Sequence, residues 1–249
     1  MNNTRINLGS RLIAAADMVS RGSRCADIGC DHALLSIYLI TEGLCTGVLA
    51  SDVAAGPMAS ARRNVSRAGL EDRITLIQAD GLDAVPEYKP DCVIIAGMGG
   101  ELIAQLIERS EYIRSPEVRL IVQPMSRAAE LFSYMAASGF AVEDEQIVRD
   151  AGRLYRIAAV RFNGIARTLT YGQTELGERL LMRLQNGSAC NIEIEYASKR
   201  LAVLERQLKG MDSGSGSYNS FDPEQRQKVQ ATINEIRKAL GSIVNGIDV

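Results

Sequence analysis

The chain has 249 residues, of which 46% are hydrophobic, enough for one full α/β domain with a sizeable core and a smaller second region. Its 28 basic and 30 acidic side chains give a net charge of −2, which excludes a globally basic nucleic-acid-binding protein. The five cysteines are scattered singly, so we expect no metal site, no disulfide framework and a cytoplasmic location. Neither a signal peptide nor a membrane span is predicted.

The chain begins with a predicted amphipathic helix within residues 1–22, which Gly22 ends. Short β-rich runs then alternate with helical or turn segments. The pairs are CADIG with 31–42, TGVLASD with 55–69, RITLIQAD with 81–88, DCVIIAG with 100–109 and VRLIVQP with 126–138. This alternation predicts a parallel sheet with crossover helices.

Two extended runs follow, FAVEDEQIVRD and GRLYRIAAVRFN, and they are joined around Ala151-Gly152 without room for a helix. They predict an antiparallel hairpin, whereas the sheet of a dehydrogenase nucleotide domain is parallel throughout. The predicted fold class is therefore α/β, the doubly wound sheet of Rossmann-like class I methyltransferases. We assign this domain to residues 1–165.

Residues 166–249 carry no strand signal and predict a small helical hairpin, partly a coiled coil. Its helical regions run from about 173 to 209 and from about 223 to 244. Apolar residues recur at heptad spacing in both regions. They are Cys190, Ile194, Ala197, Leu201, Leu204 and Leu208, then Val229, Ile233, Ile236, Leu240 and Ile243. The stretch 210–217 predicts a flexible linker, and Asp222-Pro223 predicts a helix start.

The segment ADIGCDH, residues 26–32, marks the turn from the first strand into the first crossover helix. Gly29 allows a tight turn and close ligand approach, and the helix start is expected to offer free N–H groups. Asp27 and Asp31 would repel a pyrophosphate but attract the cationic sulfonium and ammonium of S-adenosylmethionine. The motif therefore favours this cofactor over NAD; a tight turn with a capping Asp is the alternative.

Two further carboxylates end the second and third predicted strands. Asp52, followed by Val53, is expected to accept hydrogen bonds from both ribose hydroxyls, the alternative being a cap for the next helix. Asp80 is expected to accept from the adenine amino group, with Gly81 allowing close approach. Acidic residues at the ends of three successive strands predict one cofactor lying across all three.

The segment AGMGG, residues 96–100, follows the buried fourth strand. Amino-methylating enzymes of this class usually carry an Asn-Pro-Pro-Tyr type loop at this position. No polar side chain is available here, so backbone carbonyls and Met98 are expected to shape the slot for the acceptor. The alternative is a tight turn into the helix at Glu101.

The remaining candidates are less specific. His32, the sole histidine, is a general base or a packing residue beside the cofactor, and we favour packing. Cys30 and Cys92 are expected to be small buried thiols. Basic residues are candidates for contacting a nucleic-acid substrate, or else form a solvated charged face. They are Arg149, Arg153, Arg156, Arg161 and Arg167 around the hairpin, Arg127 after the fifth strand, and Lys199, Arg200, Arg206 and Lys209 on the helices.

Over about residues 11–125 the sequence resembles the TrmK family, bacterial tRNA (adenine-N1)-methyltransferases that modify adenosine 22 in the D-arm. The resembling segments are RLIAAADMV, ADIGCDHALLSIYLI, ASDVAAGPMASARRNV, ITLIQADGL, IIAGMGGELI and LIVQPM. The pairing of DIGCDH with AGMGG is specific. The hairpin and the C-terminal helices match the family's layout rather than a sharp motif.

The resemblance implies a cofactor site for S-adenosylmethionine and tRNA as the partner. The cofactor-binding candidates are Asp27, Gly29, Cys30, Asp31, His32, Asp52, Val53, Asp80, Gly81, Ala96, Gly97 and Met98. The catalytic candidates are Asp31, Met98 and Gly99. The substrate-binding candidates are Gly100, Arg127, Arg153, Tyr155, Lys199 and Arg200. We expect a monomer.

The implied reaction is attack by adenine N1 on the sulfonium methyl, which needs positioning more than a strong base. Asp31 is the candidate for stabilising the cationic product. Three alternatives remain open: a methyltransferase for another RNA or a small molecule, an inactive RNA-binding or assembly module on the same fold, and an NAD-binding enzyme. Binding of S-adenosylhomocysteine or of NADH distinguishes them.

Overall fold

The computed structural model describes residues 8–213 and 223–245. The chain divides into two compact units, Met1–Arg167 and Thr168–Val249. The division falls two residues after the boundary predicted from the sequence. Within the described ranges, none of the helices combines the length and apolarity that crossing a bilayer requires.

The first unit alternates strands and helices. Its strands are β1 (Ser23–Ile28), β2 (Cys45–Asp52), β3 (Ile74–Gln78), β4 (Cys92–Met98), β5 (Arg119–Pro124), β6 (Phe140–Asp150) and β7 (Arg153–Phe162). Its helices are α1 (Ser10–Asp17), α2 (Leu34–Thr41), α3 (Ala55–Ala68), α4 (Val85–Tyr88), α5 (Gly100–Arg109) and α6 (Ala128–Ala137), and a 3₁₀ turn covers Tyr112–Arg114. The described part of the predicted first helix is confined to α1.

The seven strands form one sheet in the order β3-β2-β1-β4-β5-β7-β6. Strands β1 to β5 are parallel, and β7 is antiparallel to both β5 and β6. The chain moves outward from β1 to β3 and then returns to place β4 on the other side of β1. This reversal creates a crevice at the carboxyl ends of β1 and β4, where ligands of doubly wound sheets bind. The predicted fold class is confirmed.

Helices cover the sheet on both faces, and the interior strand β4 is accordingly apolar along its length. Val93, Ile94 and Ile95 of β4 are completely buried, as expected for an interior parallel strand. One core lies between the sheet and α1, α2 and α3, and it includes Leu39. The other lies between the sheet and α4, α5 and α6, and it includes Phe132. Two packed faces hold the strand ends in fixed positions.

The β6–β7 hairpin turns through Ala151 (φ 46°) and Gly152 (φ 77°), and the left-handed backbone at both positions matches the twist of a two-residue turn. Pairing between β6 and β7 continues to Asp150 and Arg153. Pairing between β5 and β7 stops at Ala158. The tip of the hairpin therefore extends past the carboxyl end of β5.

The second unit contains α7 (Tyr171–Leu176), α8 (Glu178–Gln185), α9 (Asn191–Ser213) and α10 (Pro223–Asn245). The expected continuous region 173–209 is interrupted by Gly177 (φ 109°) and Gly187 (φ 75°), both in conformations that glycine adopts without strain. Helix α10 packs against α7, α8 and α9. The described helices thus include the expected pair of long helices, α9 and α10, to which α7 and α8 are added.

The predicted heptad residues have mixed environments in the second unit. Ala197, Leu204, Val229, Ile233 and Ile236 are buried. Leu201, Leu208 and Leu240 are partly buried, Ile194 likewise, and Cys190 is exposed. The predicted linker 210–217 is helical up to Ser213. Its remainder, Asp222 and the side chain of Ile243 lie outside the described residues.

Candidate active site

The loop between β1 and α2 is closed onto the end of β2. The N–H groups of Gly29 and Cys30 both donate to the Ser51 carbonyl, at 2.8 and 2.9 Å. The N–H of Asp31 donates to Oδ2 of Asp52 at 3.2 Å. The neighbouring strand therefore uses all three of these N–H groups, which lie before the helix start at Leu34. The loop presents the exposed side chains of Asp31 and His32 to solvent.

Two residues of this loop adopt left-handed backbone conformations, Asp31 with φ 50° and Ala33 with φ 57°. Such conformations are uncommon outside glycine and are concentrated at functional sites. The side chains of Asp31 and His32 are 65% and 50% exposed, with Oδ1 and Nε2 separated by 3.5 Å. A carboxylate and an imidazole are thus presented together at the carboxyl edge of the sheet.

Asp27 is the buried carboxylate of the site. Its Oδ2 accepts a hydrogen bond from the Ser36 hydroxyl at 2.6 Å, and the residue is almost inaccessible to water. Burial raises the pKa of Asp27 to about 6, against hydrogen bonds from Ser36 that lower it, and the Asp52 carboxylate raises it further. A cation bound beside Asp27 would interact favourably with the ionised carboxylate and so stabilise that form.

Both carboxylate oxygens of Asp52 already have a backbone partner. Oδ1 accepts from the N–H of Ala54 at 2.9 Å, and Oδ2 accepts from Asp31. The bond to Ala54 makes a local turn and does not cap α3, whose N-cap residue is Ala54 itself. Each carboxylate oxygen keeps a lone pair for a ligand hydroxyl. Val53, which follows, is 64% exposed and available for contact with a flat apolar group.

At the end of β3, Asp80 is exposed and its Oδ2 lies 3.4 Å from Nη1 of Arg109. Gly81 has φ +52°, and a Cβ at that position would lie 2.3 Å from Cδ2 of Leu106 in α5. The backbone conformation therefore favours glycine, and a larger residue would also have to displace the Leu106 side chain. The structure places Asp80 at the same carboxyl edge as Asp52, because Asp52 pairs with Gln78.

The AGMGG segment contains an irregularity at the end of β4, between Ala96 and Met98. The Met98 carbonyl accepts from the Met125 N–H at 2.8 Å. The Met98 side chain lies against Gly29 of the first loop. A Cβ added to Gly29 would lie only 2.3 Å from Cε of Met98. The first and fourth motifs, 70 positions apart in sequence, therefore meet.

The last two glycines of this segment support the loop. A Cβ on Gly99 would lie 3.3 Å from the Ser126 hydroxyl oxygen. Gly100 is buried, and its N–H donates to the Ser126 carbonyl at 2.9 Å. A Cβ on Gly100 would lie 2.4 Å from the Arg127 carbonyl oxygen, so no other residue fits. Gly100, a substrate-binding candidate, is enclosed by protein backbone.

Three residues that sequence reasoning missed adjoin Gly97. The buried side chain of Gln123 accepts, through Oε1, from the Gly97 N–H at 3.1 Å and from Nη1 of Arg11 at 2.9 Å. Nε of Arg11 lies 3.4 Å from Oδ2 of Asp150. The sequence offered one signal, and only for Gln123: an amide side chain directly after the apolar run LIV.

Part of the expected basic face is engaged inside the first unit. Arg156 is buried, lies 3.3 Å from Glu145 and stacks over Phe132 at 3.5 Å. Arg161 is paired with Glu143, and Arg167 donates to the Phe140 carbonyl. Arg156 faces α6 from β7, whereas Arg161 and Arg167 are held by their partners within the first unit. They are removed from the candidate RNA surface.

The other substrate-binding candidates have different surroundings. Arg127 lies beside the AGMGG segment and pairs weakly with Glu101, at 3.7 Å. Arg153 is exposed at the hairpin tip, and Tyr155 is half-buried two residues further on. In the second unit, Lys199 is 2.8 Å from Glu195 and Arg200 is paired with Glu175. Arg127, Arg153 and Tyr155 thus lie toward the carboxyl edge of the sheet.

The doubly wound sheet with its antiparallel hairpin and acidic strand ends defines a class, the Rossmann-like methyltransferases. A family model described as "Methyltransferase domain" matches residues 8–158. That range contains β1 to β6 and most of β7, and therefore every cofactor-binding and catalytic candidate.

Individual relatives narrow the class. The tRNA (adenine(22)-N(1))-methyltransferase of Bacillus subtilis is 34% identical over 152 residues, which are 61% of this chain and 64% of that relative. The chain thus matches less than two thirds of its length. A Streptococcus pneumoniae protein, provisionally assigned as a tRNA (m1A22) methyltransferase, is 30% identical, with a TM-score of 0.79, 94% of this chain covered and 100% of that chain covered. It has also been solved with S-adenosyl-L-methionine.

The B. subtilis M1A22 tRNA methyltransferase TrmK has the same fold, with a TM-score of 0.80 at 24% identity, covering 95% of this chain and 100% of that one. The chain belongs to the TrmK family.

Proposed function

We propose that the protein transfers a methyl group from S-adenosylmethionine to N1 of adenosine 22 in tRNA. The observation that carries this proposal is the group of carboxylates at the ends of three neighbouring strands: Asp27 and Asp31 near β1, Asp52 at β2 and Asp80 after β3. They lie along the carboxyl edge of the sheet, from the crevice at the end of β1 outward to β3. The activities of the relatives described above support the same assignment.

The donor set fits the proposed cofactor chemically. Asp27 is buried, and its pKa is raised to about 6. The positive charge of an ammonium group beside it would stabilise the ionised carboxylate. Asp52 keeps acceptor capacity for two ribose hydroxyls, and Asp80 can accept from an amino group. Gly29 leaves room for the Met98 side chain at the same edge of the sheet. The same acidity would disfavour the pyrophosphate of NAD.

When bound, S-adenosylmethionine supplies a methyl group on a positively charged sulfur. The protein's part is to orient the acceptor, since neutral adenine N1 carries its own lone pair and needs no strong base. Ala96, Gly97, Met98 and Gly99 form the wall against which the base would lie. Asp31, whose side chain is exposed on the loop between β1 and α2, would stabilise the positive charge on the methylated base.

The acceptor base has to leave its stack to reach this wall. Arg127, Arg153 and Tyr155 would contact the RNA backbone near the catalytic edge, and Lys199 and Arg200 would do so on the second unit. Because these contacts are with phosphates, they would position the RNA without reading its sequence. We further propose that the protein acts in the cytoplasm as a monomer.

The direct test is incubation with unmodified tRNA and labelled S-adenosylmethionine, followed by nucleoside mass spectrometry. We expect 1-methyladenosine at position 22, and none in a matched tRNA carrying guanosine there. Methylation elsewhere would keep the methyltransferase class and reject the acceptor. No labelling, with no increase in melting temperature on adding S-adenosylhomocysteine, would favour an inactive module.

A further inference from the structure

Arg11 and Gln123 form a connected support beneath the AGMGG segment. Nη1 of Arg11 donates to Oε1 of Gln123 at 2.9 Å, and the same oxygen accepts from the Gly97 N–H at 3.1 Å. Nε2 of Gln123 donates to the Pro124 carbonyl at 3.1 Å. With two donors at its oxygen and an acceptor at its nitrogen, the buried amide has one satisfactory orientation.

This support replaces a missing sheet hydrogen bond. At the irregularity between Ala96 and Met98, Gly97 has no pairing partner in β5, and its N–H bonds to a side chain. Gly97 has φ +84°, and a Cβ there would lie 3.3 Å from Nη1 of Arg11. The guanidinium therefore lies directly against the glycine, and any larger residue would press on it.

Asp150, at the end of β6, anchors Arg11 and the start of α1. Nε of Arg11 lies 3.4 Å from Oδ2 of Asp150, while Oδ1 of Asp150 accepts from the Ser10 N–H at the start of α1 at 3.2 Å. A Cβ on Gly9 would lie 2.8 Å from Asp150, so glycine lets the helix start approach the hairpin. The carboxylate thus fixes the helix and Arg11 together.

We propose that Arg11 and Gln123 are positioning residues for methyl transfer: by fixing the Gly97 N–H, they fix the direction of the Ala96 carbonyl at the acceptor wall. The N–H and C=O of a trans peptide point in opposite directions, so one bond sets both. Arg11 acts through Gln123 and Gly97 and not as a phosphate ligand, because Gln123 and Asp150 engage its guanidinium. This inference rests on the proposed function.

The test compares Arg11→Met, Arg11→Lys and Asp150→Asn with the wild-type chain, using steady-state methylation of tRNA and calorimetric binding of S-adenosylhomocysteine. For Arg11→Met we expect kcat to fall about tenfold or more, as for a misplaced reactant, with KM for tRNA and cofactor affinity within about twofold. Lysine keeps one donor, so Arg11→Lys should recover part of kcat.

Arg67→Met, which removes an exposed charge in the last turn of α3, is the matched control and should keep its kcat. If Arg11→Met fails to fold, Asp150→Asn takes its place and should lower kcat by about threefold, because only the anchor is weakened. Unchanged kcat in the folded variants would overturn the inference, as would a raised KM for tRNA alone. If the wild type itself methylates no tRNA, the proposed function fails instead.

Discussion

The buried carboxyl of Asp27 links the pH to the stability of the fold. Its pKa in the folded protein is about 6, above the ordinary value of 3.8, so the folded state holds its proton more tightly than the unfolded state. Between about pH 4 and 6 the ionisation of Asp27 therefore lowers the free energy of unfolding, by about 3 kcal/mol in all, with no further change above pH 6.

We predict that Asp27→Asn flattens the fall in stability between about pH 4 and 6, measured by urea denaturation. Asparagine keeps an acceptor for the Ser36 hydroxyl and removes the charge. Cofactor binding should show the opposite trend in the wild type, strengthening as the pH rises through about 6, because a cation prefers the ionised form. A wild-type affinity independent of pH would contradict this role.

Asp52 has a more local effect. We predict that Asp52→Ala lowers the affinity for S-adenosylhomocysteine at least about tenfold by calorimetry, since two hydrogen bonds to a charged acceptor would be lost. The fold should persist, because the lost partners, the N–H groups of Asp31 and Ala54, are accessible to water. Asp72→Ala, at an exposed carboxylate between α3 and β3, is the control. Unchanged affinity in Asp52→Ala would reject the ribose assignment.

At the scale of elements, the β6–β7 hairpin is held to α6 by charge as well as by apolar packing. Arg156 and Glu145 face each other across the hairpin with side chains at most 1% exposed, and Phe132 of α6 covers the guanidinium. Removing one partner leaves the other ion buried, which is far more costly than losing the attraction itself.

We predict that Glu145→Leu lowers the free energy of unfolding by about 3–5 kcal/mol, and that Glu145→Leu with Arg156→Leu restores a large part of it. Glu111→Gln, which removes the partner of Arg114 in a mostly exposed pair, should cost less than about 1 kcal/mol. Equal losses in the single and double variants would show that the pair is not the source of the stability. Urea denaturation provides the measurement.

Hydrophobic periodicity predicted the positions of strands and helices wherever tertiary packing and local conformational preference favour the same element. The alternation of CADIG, TGVLASD and VIIA with helical stretches predicted five parallel strands, and the Ala151-Gly152 step predicted the hairpin. The prediction of one helical region over residues 173–209 was wrong, because the chain is interrupted at Gly177 and Gly187, before the first heptad residue, Cys190. The positive φ at these glycines interrupts the helix. A pattern of apolar residues contains no information about backbone angles.

At the scale of the whole molecule, a net charge of −2 means that the proposed tRNA binding would have to depend on local basic residues. We predict that tRNA affinity falls linearly with the logarithm of salt concentration, and that each phosphate contact removed reduces the slope by about 0.7–0.9. Lys199→Gln and Arg153→Gln are the test variants. Lys89→Gln, at the amino end of β4 and away from the catalytic edge, is the control and should keep the slope.

The outcome separates the two units' contributions. A smaller slope for Arg153→Gln alone would restrict RNA contact to the first unit, whereas a smaller slope for Lys199→Gln would assign a contact to the helical unit. No change in either variant would reject both residues as phosphate ligands. Binding measured by filter retention or fluorescence anisotropy gives the slopes directly.

The sequence by itself determined the fold class and the candidate carboxylates, because both depend on order along the chain. Strand ends follow from periodicity, and parallel strands bring their carboxyl ends to one edge. Asp27, Asp52 and Asp80 could therefore be named before their distances were known. The charge of those residues predicted a cationic cofactor for the same reason.

Only the tertiary structure decided which groups meet across long separations. The contact between Gly29 and Met98, the bonds from Arg11 and Gly97 to Gln123, and the burial of Arg156 depend on how layers pack, which no local pattern encodes. The hydrogen bonds from the first loop to the Ser51 carbonyl also depend on packing, because every residue has a backbone carbonyl and the sequence does not show which one accepts. The candidate site residues could be predicted from the chemistry of their side chains, whereas the residues that they contact are determined by tertiary packing.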